Sequence, residues 1–201
     1  HPVAHSFPTR RSSDLLDYSV EGKDTEDPLD DALAKTLEIL EFVKQKDAMP
    51  FAVFKPTGYG RFGLYQKISE GKSLNASEQA EWERVIRRYD QTCKRAYDLG
   101  VSLLIDAEES WMQKAADDLV EEMMRSYNSH DFIVFNTLQM YRHDRLEYYK
   151  EQIEQAASQG YKLGMKIVRG AYLEKENERA EEKGYLTPMC SSKAETDAFF
   201  D

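Results

Sequence analysis

Apolar and polar positions along this chain follow two rhythms: short, nearly unbroken apolar runs, and longer stretches in which apolar residues recur every three or four positions. The first rhythm predicts strands covered on both faces, the second amphipathic helices. Five runs read as strands, at residues 16–20, 51–55, 101–106, 132–138 and 163–168. Four helices with marked starts lie between them. Asp27-Pro28 sets a capping carboxylate before a proline at the first helical position, and Leu29, Leu33, Leu37, Leu40 and Val43 follow at helical spacing. Asn75 with Glu78, Ser110 with Gln113 and Asp144 with Glu147 have capping-box spacing, in which acceptor and acid each satisfy an orphan donor of the first turn. Gly100 and Gly160 stop two helices just before strands. The alternation predicts an α/β fold with a parallel sheet. Strands recur every 30 to 50 residues or so without internal identity, which argues against a solenoid. Two architectures fit: a doubly wound sheet, or the first part of a (β/α)8 barrel.

Composition narrows the function classes. The 201 residues carry 27 Lys and Arg against 37 Asp and Glu, a formal charge of −10, so the overall field repels phosphates and argues against nucleic acid or an anionic membrane surface as the main partner. Apolar residues make up 41%, enough for a core and too many for a disordered chain. No apolar run approaches the roughly 20 residues of a membrane span. Two cysteines, Cys93 and Cys190, are too few for a disulfide framework or a zinc site, and point to an intracellular chain.

Both ends read as cut. The chain starts at His1 and stops after Ala-Phe-Phe, an apolar cluster typical of a helix interior. The stretch from His5 to Leu15 has the arginines and serines of a transit peptide but no amphipathic period. It resembles a translated frame of a sequencing-library adapter, so residues 1–15 are expected to be a non-native leader and 16–201 the domain proper.

In parallel α/β folds chemistry collects at the carboxyl ends of strands. There the sequence offers Lys55 before Pro-Thr-Gly, Asp106 before Ala-Glu108-Glu109, Gln139 before Met-Tyr141, and Lys166-Ile-Val-Arg169-Gly-Ala-Tyr172. Any one of these reads equally as a structural ion pair; four successive strands contributing at one end favour a site. Lys55 and Lys166 are expected to pair with Asp106, because a buried ion without a partner costs several kcal/mol. Cations beside one carboxylate suit an amino or carboxylic acid, or an electron-rich cofactor, more than a metal, and His130 and His143 read as loop residues flanking the fourth strand. Gly58-Tyr-Gly60-Arg-Phe-Gly63 has the dinucleotide spacing, but Pro56 interrupts the strand-to-turn step and no acid-ended strand follows at about 20 residues. It reads instead as a flexible glycine loop over the active face.

Taken together these segments resemble the monofunctional proline dehydrogenases. The carrying residues are Leu-Asp17-Tyr-Ser-Val-Glu-Gly-Lys23, Val-Phe-Lys55-Pro-Thr-Gly, Leu-Leu-Ile-Asp106-Ala-Glu-Glu-Ser-Trp, Phe-Asn-Thr-Leu-Gln139-Met-Tyr and Lys166-Ile-Val-Arg169-Gly-Ala-Tyr172-Leu. The resemblance implies a (β/α)8 barrel, FAD as cofactor, and oxidation of L-proline to 1-pyrroline-5-carboxylate with electrons passed to a quinone. By the same resemblance Gln139 and Lys166 contact the flavin ring, Asp106 and Tyr172 shape the proline pocket, and Lys55 lies near the substrate carboxylate. Arg169, Thr196 and Asp197 are implied to lie along the cofactor. The implied location is the cytoplasm or the periphery of an inner membrane, mitochondrial in a eukaryote. About five βα units are present, fewer than a barrel of roughly 250 residues needs, so the 201-residue chain by itself is expected to bind FAD poorly and not to turn over proline. Two other classes use the same residues: a Schiff-base lyase with Lys55 or Lys166 as nucleophile and Asp106 as acid or base, and a noncatalytic binding module in which the ion cluster is structural.

Overall fold

A computed structural model describes residues 16–17, 25–46 and 49–200. The leader expected over 1–15 and residues 18–20 of the first predicted strand lie outside that set. In chain order the elements are β1 (Leu16–Asp17), α1 (Glu26–Lys44), β2 (Phe51–Phe54), a 3₁₀ turn (Pro56–Gly58), α2 (Phe62–Ser69), α3 (Ala76–Leu99) and β3 (Ser102–Ile105). They continue with α4 (Ser110–Tyr127), β4 (Val134–Gln139), α5 (Arg145–Gln159), β5 (Met165–Val168), α6 (Leu173–Lys183) and α7 (Lys193–Phe200).

The strands form one parallel sheet in the order β1-β2-β3-β4-β5. This order decides between the two architectures. A doubly wound sheet starts near its middle and reverses direction at a switch point, whereas here every strand is added on the same side of its predecessor, which is how a (β/α)8 barrel is wound.

Period-two alternation then assigns the faces. Ala52 and Phe54 of β2 and Leu103 and Ile105 of β3 lie in the apolar core with the helices, so Val53, Leu104 and the residues that follow, Lys55 and Asp106, belong to the opposite, concave face. On the helix side Phe54 stacks on Tyr59 at 4.3 Å between centroids, and Tyr89 meets both rings edge-on. Such pairs stabilise by about 0.5–1.5 kcal/mol beyond the area they bury.

Several expectations at element ends are corrected. The cap of α1 is Thr25, and Pro28 sits inside the first turn rather than opening it. Asn75 and Glu78 do form the reciprocal box, at 2.9 and 2.8 Å. Ser110 and Gln113 do not: Ser110 gives its N–H and hydroxyl to Glu176 at 2.6 and 2.7 Å, while Gln113 accepts the N–H of Glu108. Asp144 precedes α5 without capping it, because Arg142 and Arg145 hold its carboxylate. Gly100 and Gly160 end α3 and α5 in the left-handed region, at φ 62° and 74°. The glycine segment expected to be flexible is packed: Gly58, Tyr59 and Gly60 are buried, and Arg88 donates to the Tyr59 carbonyl at 3.0 Å. Two helices beyond those expected appear, α2 and α6, while α7 contains the Ala-Phe-Phe cluster read from the sequence as a helix interior.

Candidate active site at the strand carboxyl ends

The residues singled out from the sequence separate into two neighbouring groups. The first sits on the concave face. Lys166 lies on β5 beside Thr137 of β4, and its ammonium forms a half-buried ion pair with Asp106 one residue past β3. The Asp106 backbone extends the ladder, its N–H bonding the Phe54 carbonyl at 3.0 Å, which fixes where its carboxylate emerges. Lys55 follows β2 on the same face. Its ammonium acts electrostatically on Glu108, favouring the charged carboxylate there, so the expectation that both lysines serve Asp106 is met by Lys166.

Glu108 was not distinguished from its neighbours by sequence alone. It is 3% exposed, and it accepts the Thr57 N–H at 2.9 Å and the Thr57 hydroxyl at 2.8 Å. Burial pushes its carboxyl up to about 7, against the two Thr57 bonds and Lys55, which lower it. The Glu108 carbonyl in turn accepts from Gln139 Nε2 at 2.7 Å.

Gln139, expected at the flavin ring, is buried and engaged by the protein. Its Nε2 also donates to the Tyr141 hydroxyl at 2.9 Å, and its Oε1 accepts from Arg142 at 3.3 Å. Both amide hydrogens are therefore directed at protein acceptors. Arg142 is fixed by Asp144, at 3.0 and 2.7 Å. Burial works against the Asp144 charge, yet the hydrogen bond from Arg145 and the charge of Arg142 hold its carboxyl down to about 2.

The second group surrounds a cavity of about 220 Å³ lined by Tyr141, Arg169, Cys190, Lys193, Thr196 and Asp197, among others. Arg169 is half exposed, 3.3 Å from Asp197, with its guanidinium 3.9 Å above the Phe200 ring. Lys193 also reaches Asp197, at 2.6 Å. Tyr141 belongs to both groups, lining the cavity while bonded to Gln139. Tyr172 lines an open cleft of about 530 Å³ formed by residues 170–175. It precedes α6 at φ 59°, a left-handed conformation that costs a non-glycine residue roughly 1–2 kcal/mol.

The ion pair on the concave face offers a partner to each charge of a small zwitterion, and the cavity lined by Arg169, Lys193 and Thr196 offers donors to an anion. Comparison with known proteins gives this arrangement a family. The profile described as proline dehydrogenase matches residues 5–201. The chain is 37% identical over 162 residues to the carbapenem antibiotics biosynthesis protein CarD of Pectobacterium carotovorum subsp. carotovorum, covering 81% of this chain and 43% of that one. It is 37% identical over 123 residues to human mitochondrial proline dehydrogenase 1, covering 61% and 20%. Among solved structures, proline utilization A of Bdellovibrio bacteriovorus inactivated by N-propargylglycine superimposes with a TM-score of 0.78 at 18% identity, covering 94% of this chain and 21% of that one. The enzyme of the same name from Corynebacterium freiburgense gives 0.68 at 21%, covering 92% and 18%. The chain thus spans less than half the length of these relatives. With a profile match that runs almost end to end, over five parallel strands wound in barrel order, this chain belongs to the proline dehydrogenase family.

Proposed function

We propose that this chain supplies the first five βα units of an FAD-dependent enzyme that oxidises L-proline to 1-pyrroline-5-carboxylate and passes the electrons to a quinone. The observation that carries this reading is the Lys166–Asp106 pair on the same concave face as Lys55, with Lys55 and Asp106 one residue past β2 and β3 and Lys166 within β5. Lys55 is the cation for the substrate carboxylate. Asp106 balances Lys166 and faces the substrate's amine end, and Tyr172 bounds the pocket.

The residues present fit a dinucleotide flavin. The cavity beside the ion pair brings Arg169 and Lys193 together with the buried hydroxyl of Thr196, donors suited to phosphate oxygens. Arg169, Thr196 and Asp197 would hold that end, and Lys166 the ring. FAD, when bound, would accept the two electrons of the ring C–H bond that breaks beside the proline nitrogen, while the amine gives up a proton and C–N becomes C=N; the protein's share is to clamp, orient and screen the substrate. Gln139 supports the ring site from behind, since its amide hydrogens are directed at Glu108 and Tyr141.

Among the described residues no helix is long and apolar enough to cross a membrane, so contact with a quinone is proposed to be peripheral, at an inner membrane. The test is flavin absorbance and proline-dependent reduction of an artificial dye, on this chain by itself and on the complete enzyme to which it contributes these units, then cosedimentation of the latter with quinone-loaded vesicles. Flavin retention and dye reduction are expected of the complete enzyme, both lost in its Lys166→Met variant, and neither is expected of the 201-residue chain alone. Schiff-base chemistry would instead appear as borohydride-trapped substrate on Lys55 or Lys166, with no flavin requirement, and would overturn the reading.

A further inference from the structure

The buried carboxylate of Glu108 touches no part of the proposed substrate site directly, yet every polar group it owns is engaged. Its two oxygens take both donors of Thr57, at 2.9 and 2.8 Å. Its N–H goes to Gln113 and its carbonyl to Gln139, each at 2.7 Å. Thr57 is the centre of the 3₁₀ turn that Lys55 opens. In that turn the Lys55 carbonyl accepts from Gly58, and the Pro56 carbonyl from Tyr59, both at 2.9 Å. The Tyr65 hydroxyl adds a bond to the Pro56 carbonyl at 3.0 Å. The backbone that sets the direction of the Lys55 side chain is therefore tied to β3 through Glu108.

We propose that Glu108 is the positioning residue for Lys55: its carboxylate, by taking both donors of Thr57, holds the turn that aims the Lys55 ammonium at the concave face, and protonation loosens that hold. A carboxylate is the form that accepts two hydrogen bonds best, one on each oxygen; the protonated acid loses the charge that strengthens both bonds, and its O–H can be received only by reversing the Thr57 hydroxyl from donor to acceptor, since the Thr57 N–H can only donate. Burial works the other way, and the balance places the change of state near neutrality. The groups facing Glu108 are Lys55 from the end of β2, Glu109 on its own loop, Tyr65 from α2, Tyr89 from α3 and the neutral Gln139 from β4. Burial raises both tyrosine hydroxyls far above this range, so neither competes for the proton. Only the enzymatic consequence of the proposal rests on the function proposed above.

The experiment has two arms. In the first, lysines of the full chain are reductively ¹³C-methylated and the Lys55 signal, assigned with Lys55→Arg, is followed by NMR from acid to alkaline pH. The expected result is a step near neutral pH, in addition to the amine's own titration. It disappears in Glu108→Gln, and it moves to higher pH in Thr57→Val, which removes one donor to the carboxylate. A Lys55 signal that titrates identically in the wild type and Glu108→Gln overturns the proposal. If Glu108→Gln does not fold, an unmoved midpoint in Thr57→Val overturns it equally. In the second arm, carried out on the complete enzyme that contains these units, Glu108→Gln is expected to raise the proline KM by about tenfold with a smaller change in kcat, the pattern of lost substrate positioning; a fall in kcat at constant KM overturns that role. Absence of proline oxidation in the complete wild-type enzyme, with the NMR step present, defeats the proposed function while leaving the Glu108–Lys55 coupling in place.

Discussion

Arg145 on α5 donates to Asp117 of α4 at 2.7 Å, with the two side chains only 10% and 4% exposed. The other Asp117 oxygen takes Gln113 at 2.8 Å and Asn136 of β4 at 3.0 Å, so one carboxylate joins two helices to a strand. A buried ion that loses its partner keeps its desolvation cost without the compensating attraction. Asp117→Ala is therefore expected to destabilise the fold by about 3–5 kcal/mol, and the double variant Asp117→Leu with Arg145→Met to recover much of that. Urea denaturation of the three proteins measures both effects.

The Lys166–Asp106 pair is a quarter exposed on each side, so water screens it and its share of stability is small. Asp106→Asn is expected to shift unfolding free energy by no more than about 1 kcal/mol. In the complete enzyme that contains these units, proline-dependent dye reduction should fall by about 10²-fold, the usual loss when one preorganised group at a reaction centre is removed. Equal losses of stability and turnover would point to a structural role for the pair.

Two carboxylates act on stability in opposite pH windows. Glu108 titrates near 7 in the folded chain against an ordinary value of 4.5, because burial disfavours its charge. Between those values the folded state holds a proton that the unfolded state has released, so stability falls as pH rises through the window and is level above it. The full effect is about 3 kcal/mol for a carboxyl raised from 4.5 to about 7. Glu26 is held down to about 2, chiefly by its hydrogen bond from Arg84 and then by Arg88 against burial, so its contribution is present above 4.5 and is lost as pH falls toward 2. Urea midpoints across pH 4.5 to 7 should decline in the wild type, and less steeply in Glu108→Gln.

Two glycines should differ in what they tolerate. A Cβ at Gly60 meets the Val85 methyl at 2.6 Å, a side-chain atom that can rotate away. A Cβ at Gly164 meets the backbone carbonyl oxygen of Val134 at 2.4 Å and the Phe135 ring at 3.0 Å. Gly60→Ala is expected to cost about 1–3 kcal/mol as ordinary overpacking. Gly164→Ala should cost more, because β5 must move away from β4, whose Asn136 N–H bonds the Gly164 carbonyl at 3.0 Å. Thermal melts of the two variants give the ranking.

The three sites with capping-box spacing show where local pattern stops being informative. Asn75 is exposed, and Glu78, although Lys67 reaches its two oxygens at 2.8 and 2.7 Å, still accepts the Asn75 N–H, because a carboxylate takes several donors at once; the local rule therefore operates. Ser110 loses to Glu176, which lies 66 residues later in the chain, and Asp144 loses to two arginines. The helices missed by periodicity have their own reasons. Helix α2 has eight residues behind a glycine-rich turn, and α6 is mostly charged, Leu-Glu-Lys-Glu-Asn-Glu-Arg-Ala-Glu-Glu-Lys, with only Glu176 and Ala180 buried.

What the sequence determined by itself is what depends on near neighbours: the five runs that become parallel strands, the glycines that end α3 and α5, and which strands carry Lys55, Asp106 and Gln139 at their ends and Lys166 within. The family motifs were legible for the same reason, being short and continuous. Tertiary structure decided how these were combined. It added each strand on the same side and so chose the barrel. It gave Asp106 to Lys166, and it enclosed Glu108 rather than the adjacent Glu109 in the bonds of Thr57. Side chains brought together from strands some 50 to 60 residues apart share no local signal, and the energy of a buried charge depends on the surroundings that only the folded chain provides.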